Sequence, residues 1–474
     1  MVEECENEPM SNVAPVPAIP PELFSALLDR VGRVAFVVGA GCSVEAPTGL
    51  ALASRYALDI HRRLVADGVL VEGECADPSD LSVVASTVWA KCDTQAAVVE
   101  RLPRREFRVA RANDGYLIAA ALLRERAVSC VLTLNFDLAL SAALTDLSAT
   151  DVDVVEGPGT MAQFGATAVV YLHRNVGEED PERWILRREA LEEEWREAWE
   201  EVVARRVMSS PTVVFAGLGA PAAVLTETIG RIRAVLPQAS TAYVVDPAGS
   251  TAFSTALALA EEAHIRMGWC DFMRAAGDRV AAEFGAQMEA ACTALCNAHE
   301  WDDEIDHVRA VCEPYAAIGL VGLGRLRARW LLDQQAYAPD DERRLLLADL
   351  LLGLGVVQRG LAAQMVLRED GVVSFVRDGA VVASVLAASG GGTMRWNALE
   401  PRIRDMLRNL GYVLPISSVV VGGVQGGRPE EVAAPPDVVG GERGDDITQG
   451  TPEPVLVTVD EVRSDPEVIT RLVA

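Results

Sequence analysis

At 474 residues, half of them hydrophobic, the chain is long for a single domain and can bury a large core, so two or three domains are expected. Its net charge of −27, from 69 acidic against 42 basic residues, repels the phosphate backbone of nucleic acids and anionic membrane surfaces, which argues against direct DNA binding and membrane association. No apolar run of about eighteen residues escapes interruption by charge, and the acidic, Pro-rich lead over 1–22 lacks a basic region followed by an apolar one. These features predict a cytoplasmic protein with a disordered lead. The nine cysteines include no CxxC pair, which fits reduced thiols better than a disulfide framework. Cys292 and Cys296 lie one helical turn apart but lack partner ligands, so they read as core and no metal is expected.

The first strong element is Val34–Val38, a short apolar run rich in β-branched residues that stops at Gly39-Ala40-Gly41. Such a run reads as a buried parallel strand feeding a tight turn. Glycines there let backbone N–H groups approach a phosphate near the start of the next helix. That helix is predicted over Ala51–Ala66, with Leu52, Tyr56, Ile60 and Leu64 on one face. The third glycine of the dinucleotide fingerprint is missing, so the turn is either a nucleotide cradle or only a structural turn.

The chain then reads as mostly helical to residue 115 and carries a basic patch of Arg101, Arg104, Arg105, Arg108 and Arg111. That patch is either a salt-bridged, solvated face or a seat for a phosphate or an acidic surface. Helix Tyr116–Arg126 leads to a buried strand, Val128–Leu132, ending in Thr133-Leu134-Asn135-Phe136-Asp137. Polar side chains at the carboxyl end of a parallel strand stand where ligands bind in open α/β sheets, although Asp137 is also suited to start the helix Leu138–Leu144.

Strand Ala168–Leu172 delivers His173, and a charged helix follows over about 188–206. A lone histidine is most often structural. Its place at a strand end, like those of Gly39 and Asn135, makes it a site candidate, because such ends converge on one crevice. Thr212–Ala216 then enters Gly217-Leu218-Gly219 and a helix over Pro221–Val235. Strand Ala242–Val245 ends at Asp246, a carboxylate able to accept hydrogen bonds from a ribose, and His264–Met267 leads into a closing helix. This alternation predicts a doubly wound, Rossmann-like parallel sheet.

The motifs GAGCS at Gly39–Ser43, TLNFD at Thr133–Asp137, YLH at Tyr171–His173, VVFAGLG at Val213–Gly219 and YVVD at Tyr243–Asp246 follow an order that resembles sirtuin-like (SIR2) domains. The resemblance is to the divergent bacterial branch that consumes NAD in anti-phage defence, and it spans 23–285. Three positions depart from it: Arg174 replaces a glycine, Phe136 a tyrosine and Ala51 a proline. The paired CxxC motifs that build the zinc ribbon of protein-deacylating sirtuins are absent. The resemblance implies an NAD substrate, no metal, and cleavage of the bond between nicotinamide and ribose. It assigns Asn135 to orient the attacking water or the ribose hydroxyls and His173 to act as general base, with Asp137 positioning the loop. Gly39, Ala40, Gly41 and Ser43 are implied to cradle the diphosphate, with Cys42 as a flanking residue. Gly217, Gly219 and Asp246 are implied to frame the adenosine, and Thr133 and Leu218 belong to the same cofactor-binding set.

Beyond this stretch the reading rests on pattern alone. A helical connector is expected over 286–332, followed by a small α+β C-terminal domain over 333–424. Within that domain a helix, Arg343–Leu354, precedes a three-strand meander turning at Asp370-Gly371 and Asp378-Gly379. Helix Trp396–Leu410 and strand Tyr412–Val421 complete an αβββαβ order. That order is similar to restriction-endonuclease-like cores, but the third strand, Ala380–Ala387, has no Glu-x-Lys pair, so a sensing, oligomerising or docking role is preferred. Residues 425–474 read as a flexible tail with a last strand or docking peptide at Val455–Val462.

Three functions fit the sequence. The first is an NAD glycohydrolase, silent until a trigger, a homo-oligomer or an operon-encoded partner activates it. The second is transfer of ADP-ribose or of an acyl group to or from a protein. The third is a sensor that binds NAD or ADP-ribose without turnover.

Overall fold

The computed structural model describes residues 19–190, 199–219, 226, 230, 241–330, 341–388, 396–411, 419–422 and 454–473. Seven parallel strands form the first sheet: β1 (Val34–Val38), β2 (Val128–Thr133), β3 (Asp153–Val155), β4 (Ala168–Tyr171), β5 (Thr212–Ala216), β6 (Thr241–Val245) and β7 (His264–Ile265). Their spatial order is β3-β4-β2-β1-β5-β6-β7. The central strand β1 is buried at all five positions because helices cover both faces, which is why its sequence is a continuous apolar run rather than an alternating one. Phe36 and Val38 join one core with Val131, Val169, Tyr171 and Val214. Ala35 and Val37 join the other with Leu132, Val170 and Phe215.

The strand order reverses at β1, between β2 on one side and β5 on the other, so the crevice expected to take a ligand lies at the carboxyl ends of these strands. The doubly wound parallel sheet predicted from the alternation of runs is present. Helices α1 (Pro21–Leu28), α2 (Ala53–Ala66), α3 (Leu81–Cys92), α4 (Ala96–Val99), α5 (Arg104–Arg108), α6 (Asp114–Arg124), α7 (Ala139–Asp146) and α8 (Trp199–Met208) belong to this part. The expected lead lies outside the described residues up to 18, most of the expected helix Pro221–Val235 does so too, and α1 begins within the lead at Pro21. Strand β3 is absent from the sequence-based expectation: it is three residues long and only its last position is buried, too short for a period to register.

Residues Trp269–Ala298 form one helix of 30 residues, about 45 Å long at 1.5 Å per residue. Its first turn packs on the sheet, with the Trp269 ring edge-on to Phe36 at 6.0 Å between centroids. Its later turns carry Met288, Cys292 and Cys296 into the same continuous core as the helices Val308–Ala317 and Asp341–Gly360. Gly285, where the sequence resemblance stops, lies inside this helix, and a Cβ there would meet that of Ala316 at 2.8 Å.

The second sheet is mixed. Strands β8 (Gln364–Leu367), β9 (Val373–Arg377) and β10 (Ala380–Ala388) form the expected antiparallel meander, and β11 (Val419–Gly422) and β12 (Val455–Val457) pair in parallel beyond β10, giving the order β12-β11-β10-β9-β8. The Asp378-Gly379 turn has positive φ at both residues, 53° and 77°, as the tight hairpin requires. The expected strand Val455–Val462 is shorter than predicted. After Val457, Thr458 caps a helix, Val459–Ser464, through a reciprocal bond with Glu461, a T-x-x-E signature that competes with strand pairing. Residues 412–418 and 423–453 lie outside the described residues.

Candidate active site

The turn after β1 is held from both sides. The amides of Gly39 and Gly41 donate to the carbonyls of Ala216 and Gly217 at 3.0 Å each, and the amide of Cys42 folds back onto Gly39 O at 3.0 Å. Gly217 sits at φ 64°, and a Cβ on it would lie 2.5 Å from the backbone nitrogen of Cys42. The two glycine turns therefore touch each other, and a side chain at residue 217 would force them apart. Two of the turn amides expected to meet a phosphate, those of Gly39 and Gly41, are thus committed to protein carbonyls, as is that of the flanking Cys42, while Ala40 and Ser43 line the cavity beside them.

Behind the turn lies a buried polar network. Ser43 Oγ donates to Asp137 Oδ2 at 2.9 Å and lies 2.8 Å from Tyr116 Oη. Asn135 Nδ2 lies 3.1 Å from Gly39 O, 3.1 Å from Ser43 Oγ and 3.0 Å from Tyr116 Oη. Proton counting fixes the directions with Asp137 ionised. The single Ser43 proton goes to Asp137, so Tyr116 donates to Ser43, and the two Asn135 amide protons go to two of their three acceptors. The second Asp137 oxygen accepts from the Ala139 amide at 3.0 Å, at the start of α7, so the capping role and the site role coincide. Burial pushes the Asp137 carboxyl above its usual range, against which its bonds from Ala139 and Ser43 act. Burial likewise pushes up the Tyr116 hydroxyl and the Cys42 thiol, so Cys42 is no ready nucleophile.

Neighbouring elements fix this network in place. Asn113 caps α6 by accepting from the Tyr116 amide at 3.1 Å, and its own side-chain amide donates to Cys42 O at 2.8 Å. Trp269 covers Tyr116 at 6.1 Å between ring centroids. Gly115 permits this approach, since a Cβ there would lie 2.1 Å from the indole nitrogen.

A cavity of about 80 Å³ opens over the network, lined by Ala40, Ser43, Asn135 and Asp137 on its polar side and by Tyr56, Leu102, Phe107 and Phe136 among its apolar walls. Asn135 Oδ1 makes no hydrogen bond among the described residues, and with Nδ2 turned inward it is the atom left to a water or a ligand hydroxyl. Tyr56 Oη accepts from the Ala51 amide and donates to Glu106; its own hydroxyl is pushed up to about 12, chiefly by burial.

The structure thus brings Ala40, Ser43, Asn135 and Asp137 to one cavity. Gly39, Gly41, Cys42, Gly217 and Leu218 form the packed floor behind it, and Thr133 steadies Asn135 by accepting from its amide at 3.0 Å. His173 stands at the end of β4, which pairs with β2 in the register Tyr171 to Thr133, so the two strand ends bearing His173 and Asn135 are neighbours. The His173 side chain is not among the described residues lining the cavity. Burial and the adjacent Arg174 push its imidazole down to about 4, so it is neutral near pH 7. Arg174 adopts φ 74°, the left-handed conformation that a glycine would take freely, and pairs with buried Glu200 at 3.3 Å. Asp246 lies beyond β5 at the end of β6, where one carboxylate oxygen accepts from the Ala248 amide at 2.8 Å. At Gly219 a Cβ would meet no atom of the described residues within 4 Å. Among the described residues no group of three or more His, Cys, Asp or Glu side chains gathers to hold a metal, and no helix is long and apolar enough to cross a membrane.

The sequence does not single out Tyr116 and Asn113. An aromatic in the first turn of an apolar helix reads as core, and only the Asn113-Asp114 start signal marks the spot.

Neither the family models nor the curated proteins give a match to this chain. Among solved structures it is similar to a Sir2 homologue in complex with NAD, at 14% identity over 56% of this chain and 94% of that one, with a TM-score of 0.33. A mutant Sir2 homologue with ADP-ribose gives 14% identity over 55% and 96%, with a TM-score of 0.32. Sir2 bound to an acetylated peptide gives 15% identity over 54% and 97%, with a TM-score of 0.30.

Proposed function

We propose that the chain cleaves the nicotinamide–ribose bond of NAD with water, giving nicotinamide, ADP-ribose and a proton. The observation that carries this reading is the Asn135 carboxamide, clamped through Nδ2 at the end of a central strand beside a mostly apolar cavity, with its Oδ1 making no hydrogen bond among the described residues. When the glycosidic bond breaks, its electron pair returns to the pyridinium nitrogen, so the leaving group is neutral and needs no acid. The anomeric carbon passes through an oxocarbenium-like state. What the protein must supply is an oriented water, an acceptor for its proton, and exclusion of other nucleophiles. Asn135 Oδ1 suits the first task. His173, at the neighbouring strand end, is assigned the second task by the motif resemblance alone: its imidazole, pushed down to about 4, is a weak base, and it would have to turn toward the cavity and regain basicity when the ligand enters.

The cavity volume of about 80 Å³ is well below the roughly 150 Å³ that encloses a benzene ring, so a dinucleotide needs the cavity to widen before its nicotinamide end can enter. That size favours a chain that stays silent until a trigger or assembly opens it. The motif resemblance to SIR2 domains adds the setting, an effector of bacterial anti-phage defence that depletes NAD on activation. It equally keeps in view a second reading, a sensor that binds NAD or ADP-ribose without turnover.

The test is release of nicotinamide from NAD by the purified full chain, alone and with the products of neighbouring genes, against the Asn135→Ala variant. Turnover that Asn135→Ala lowers by about a hundredfold or more supports hydrolysis. Binding by calorimetry with NAD left intact under every condition overturns it in favour of the sensor.

A further inference from the structure

Helix α5 turns two faces to two different spaces. Phe107 lines the cavity over Asn135, while Arg104, Arg105 and Arg108 line a separate open recess of about 680 Å³, together with Val109 and Glu179. Two of these guanidiniums are anchored by backbone. Arg104 Nη2 donates to Glu178 O at 3.0 Å and Val176 O at 3.3 Å, and Arg108 Nη2 donates to Val176 O at 3.3 Å. Among the described residues none of the three is paired with a carboxylate, and Arg105 has no side-chain partner at all. Three positive charges, two of them held in place, thus line the recess with one carboxylate, in a chain whose net charge is −27.

Carbonyl oxygens hold a guanidinium in place without cancelling its charge, which leaves its remaining N–H groups to a ligand. A forked donor of this kind matches phosphate oxygens. The recess is open, so a ligand there is held by its charged groups against the helix rather than enclosed. We propose that this recess binds a phosphate-bearing small molecule of about nucleoside-diphosphate size, held by Arg104, Arg105 and Arg108. A nucleic acid is disfavoured, because the charge of the rest of the chain repels a long polyanion. The site is distinct from the NAD reading: the residues assigned to the adenosine lie past β5 and β6, whereas Val176 and Glu178 follow β4 on the other side of β2.

Its place gives the ligand a route to the cavity. The Phe107 carbonyl accepts from the Leu138 amide at 3.0 Å, next to Asp137, and the Val176 amide donates to Phe136 O at 2.9 Å. Helix α5 therefore clips together the loops that follow β2 and β4, and an anion bridging its arginines tightens that clip.

The experiment titrates inorganic pyrophosphate, and in parallel ADP, into the full chain by calorimetry and thermal shift at low and high salt. Saturable binding is expected, weakened at least about tenfold by Arg105→Gln and by Arg108→Gln, and weakened as salt rises. Arg105 is exposed and makes no side-chain hydrogen bond or ion pair among the described residues, so an unchanged melting temperature of Arg105→Gln without ligand separates a binding loss from a folding defect. Tighter binding of ADP than of pyrophosphate assigns the ligand as a nucleotide, and equal binding assigns the phosphates alone. The Asn135→Ala variant is expected to bind pyrophosphate as the wild type does, whatever becomes of NAD turnover. Absence of binding at millimolar pyrophosphate, or binding unchanged by both arginine substitutions, overturns the proposal.

Discussion

Replacing Ser43 by alanine and Tyr116 by phenylalanine removes one hydroxyl from each end of the same 2.8 Å contact, yet the two losses are unequal. Without the Tyr116 hydroxyl, Ser43 still donates to Asp137, and both Asn135 amide protons keep acceptors in Gly39 O and Ser43 Oγ. No group is orphaned, so Tyr116→Phe is expected to cost about 1 kcal/mol, the net worth of an ordinary hydrogen bond. Ser43→Ala takes the donor from a buried carboxylate, worth about 1.5–3 kcal/mol, and leaves the buried Tyr116 hydroxyl without its acceptor, worth about 1–3 kcal/mol. The expected total is about 3–5 kcal/mol. The double variant also removes the orphaned hydroxyl, so it is expected to cost less than the sum of the single ones. Urea unfolding of the three variants measures this directly. Because Ser43 lowers a carboxyl that burial raises, Ser43→Ala raises it further. A carboxyl raised in the folded state favours folding once protonated, so the Ser43→Ala deficit is expected to shrink as pH falls through the range where the raised carboxyl protonates. A Ser43→Ala cost no larger than that of Tyr116→Phe, or strict additivity in the double variant, refutes this account of the network.

Three further outcomes follow from the same geometry. Gly217→Ala, at φ 64° and with its Cβ aimed at the Cys42 amide, is expected to cost about 2–4 kcal/mol in unfolding experiments, whereas Gly219→Ala, whose Cβ meets no atom of the described residues within 4 Å, is expected to stay within about 0.5 kcal/mol. His173, pushed down to about 4, resists protonation in the folded state while the unfolded chain takes a proton near 6.5, so wild-type stability is lost as pH falls from about 6.5 toward 4. His173→Asn is expected to flatten that part of the stability–pH curve. Arg174→Gly relieves the left-handed backbone but leaves buried Glu200 without its partner, so a net loss of melting temperature is expected rather than a gain.

The sheet is legible in the sequence because its physics is local. Buried parallel strands write themselves as short apolar runs, and β1, β2, β4, β5 and β6 each carry four or five apolar residues. The Asp-Gly hairpin turn announces the meander for a similar reason, since few residue pairs tolerate its positive φ angles. Strand β3 and the split of Val455–Val462 into a strand and a capped helix are not legible in this way. The first is shorter than any period, and the second is settled by a contest between ladder pairing with β11 and the Thr458–Glu461 cap.

The candidate site is legible only as a set of strand ends. Gly39, Asn135 and His173 can be placed at one edge from the alternation of elements, because in-register parallel strands bring their carboxyl ends together. What those residues do to one another depends on contacts between positions 73 to 96 apart in the chain, such as Ser43 with Tyr116 and Asn135 with Gly39, which no local spacing encodes. The consequence is chemical. Glycines 39 and 41 are expected from the sequence to offer their amides to a phosphate, but both donate to the carbonyls of Ala216 and Gly217 and lock the two turns together. A ligand phosphate arriving at this edge must either compete with Ala216 and Gly217 for those amides or bind along Ala40 at the rim. The first course separates the end of β1 from the turn after β5, at the strand-order reversal.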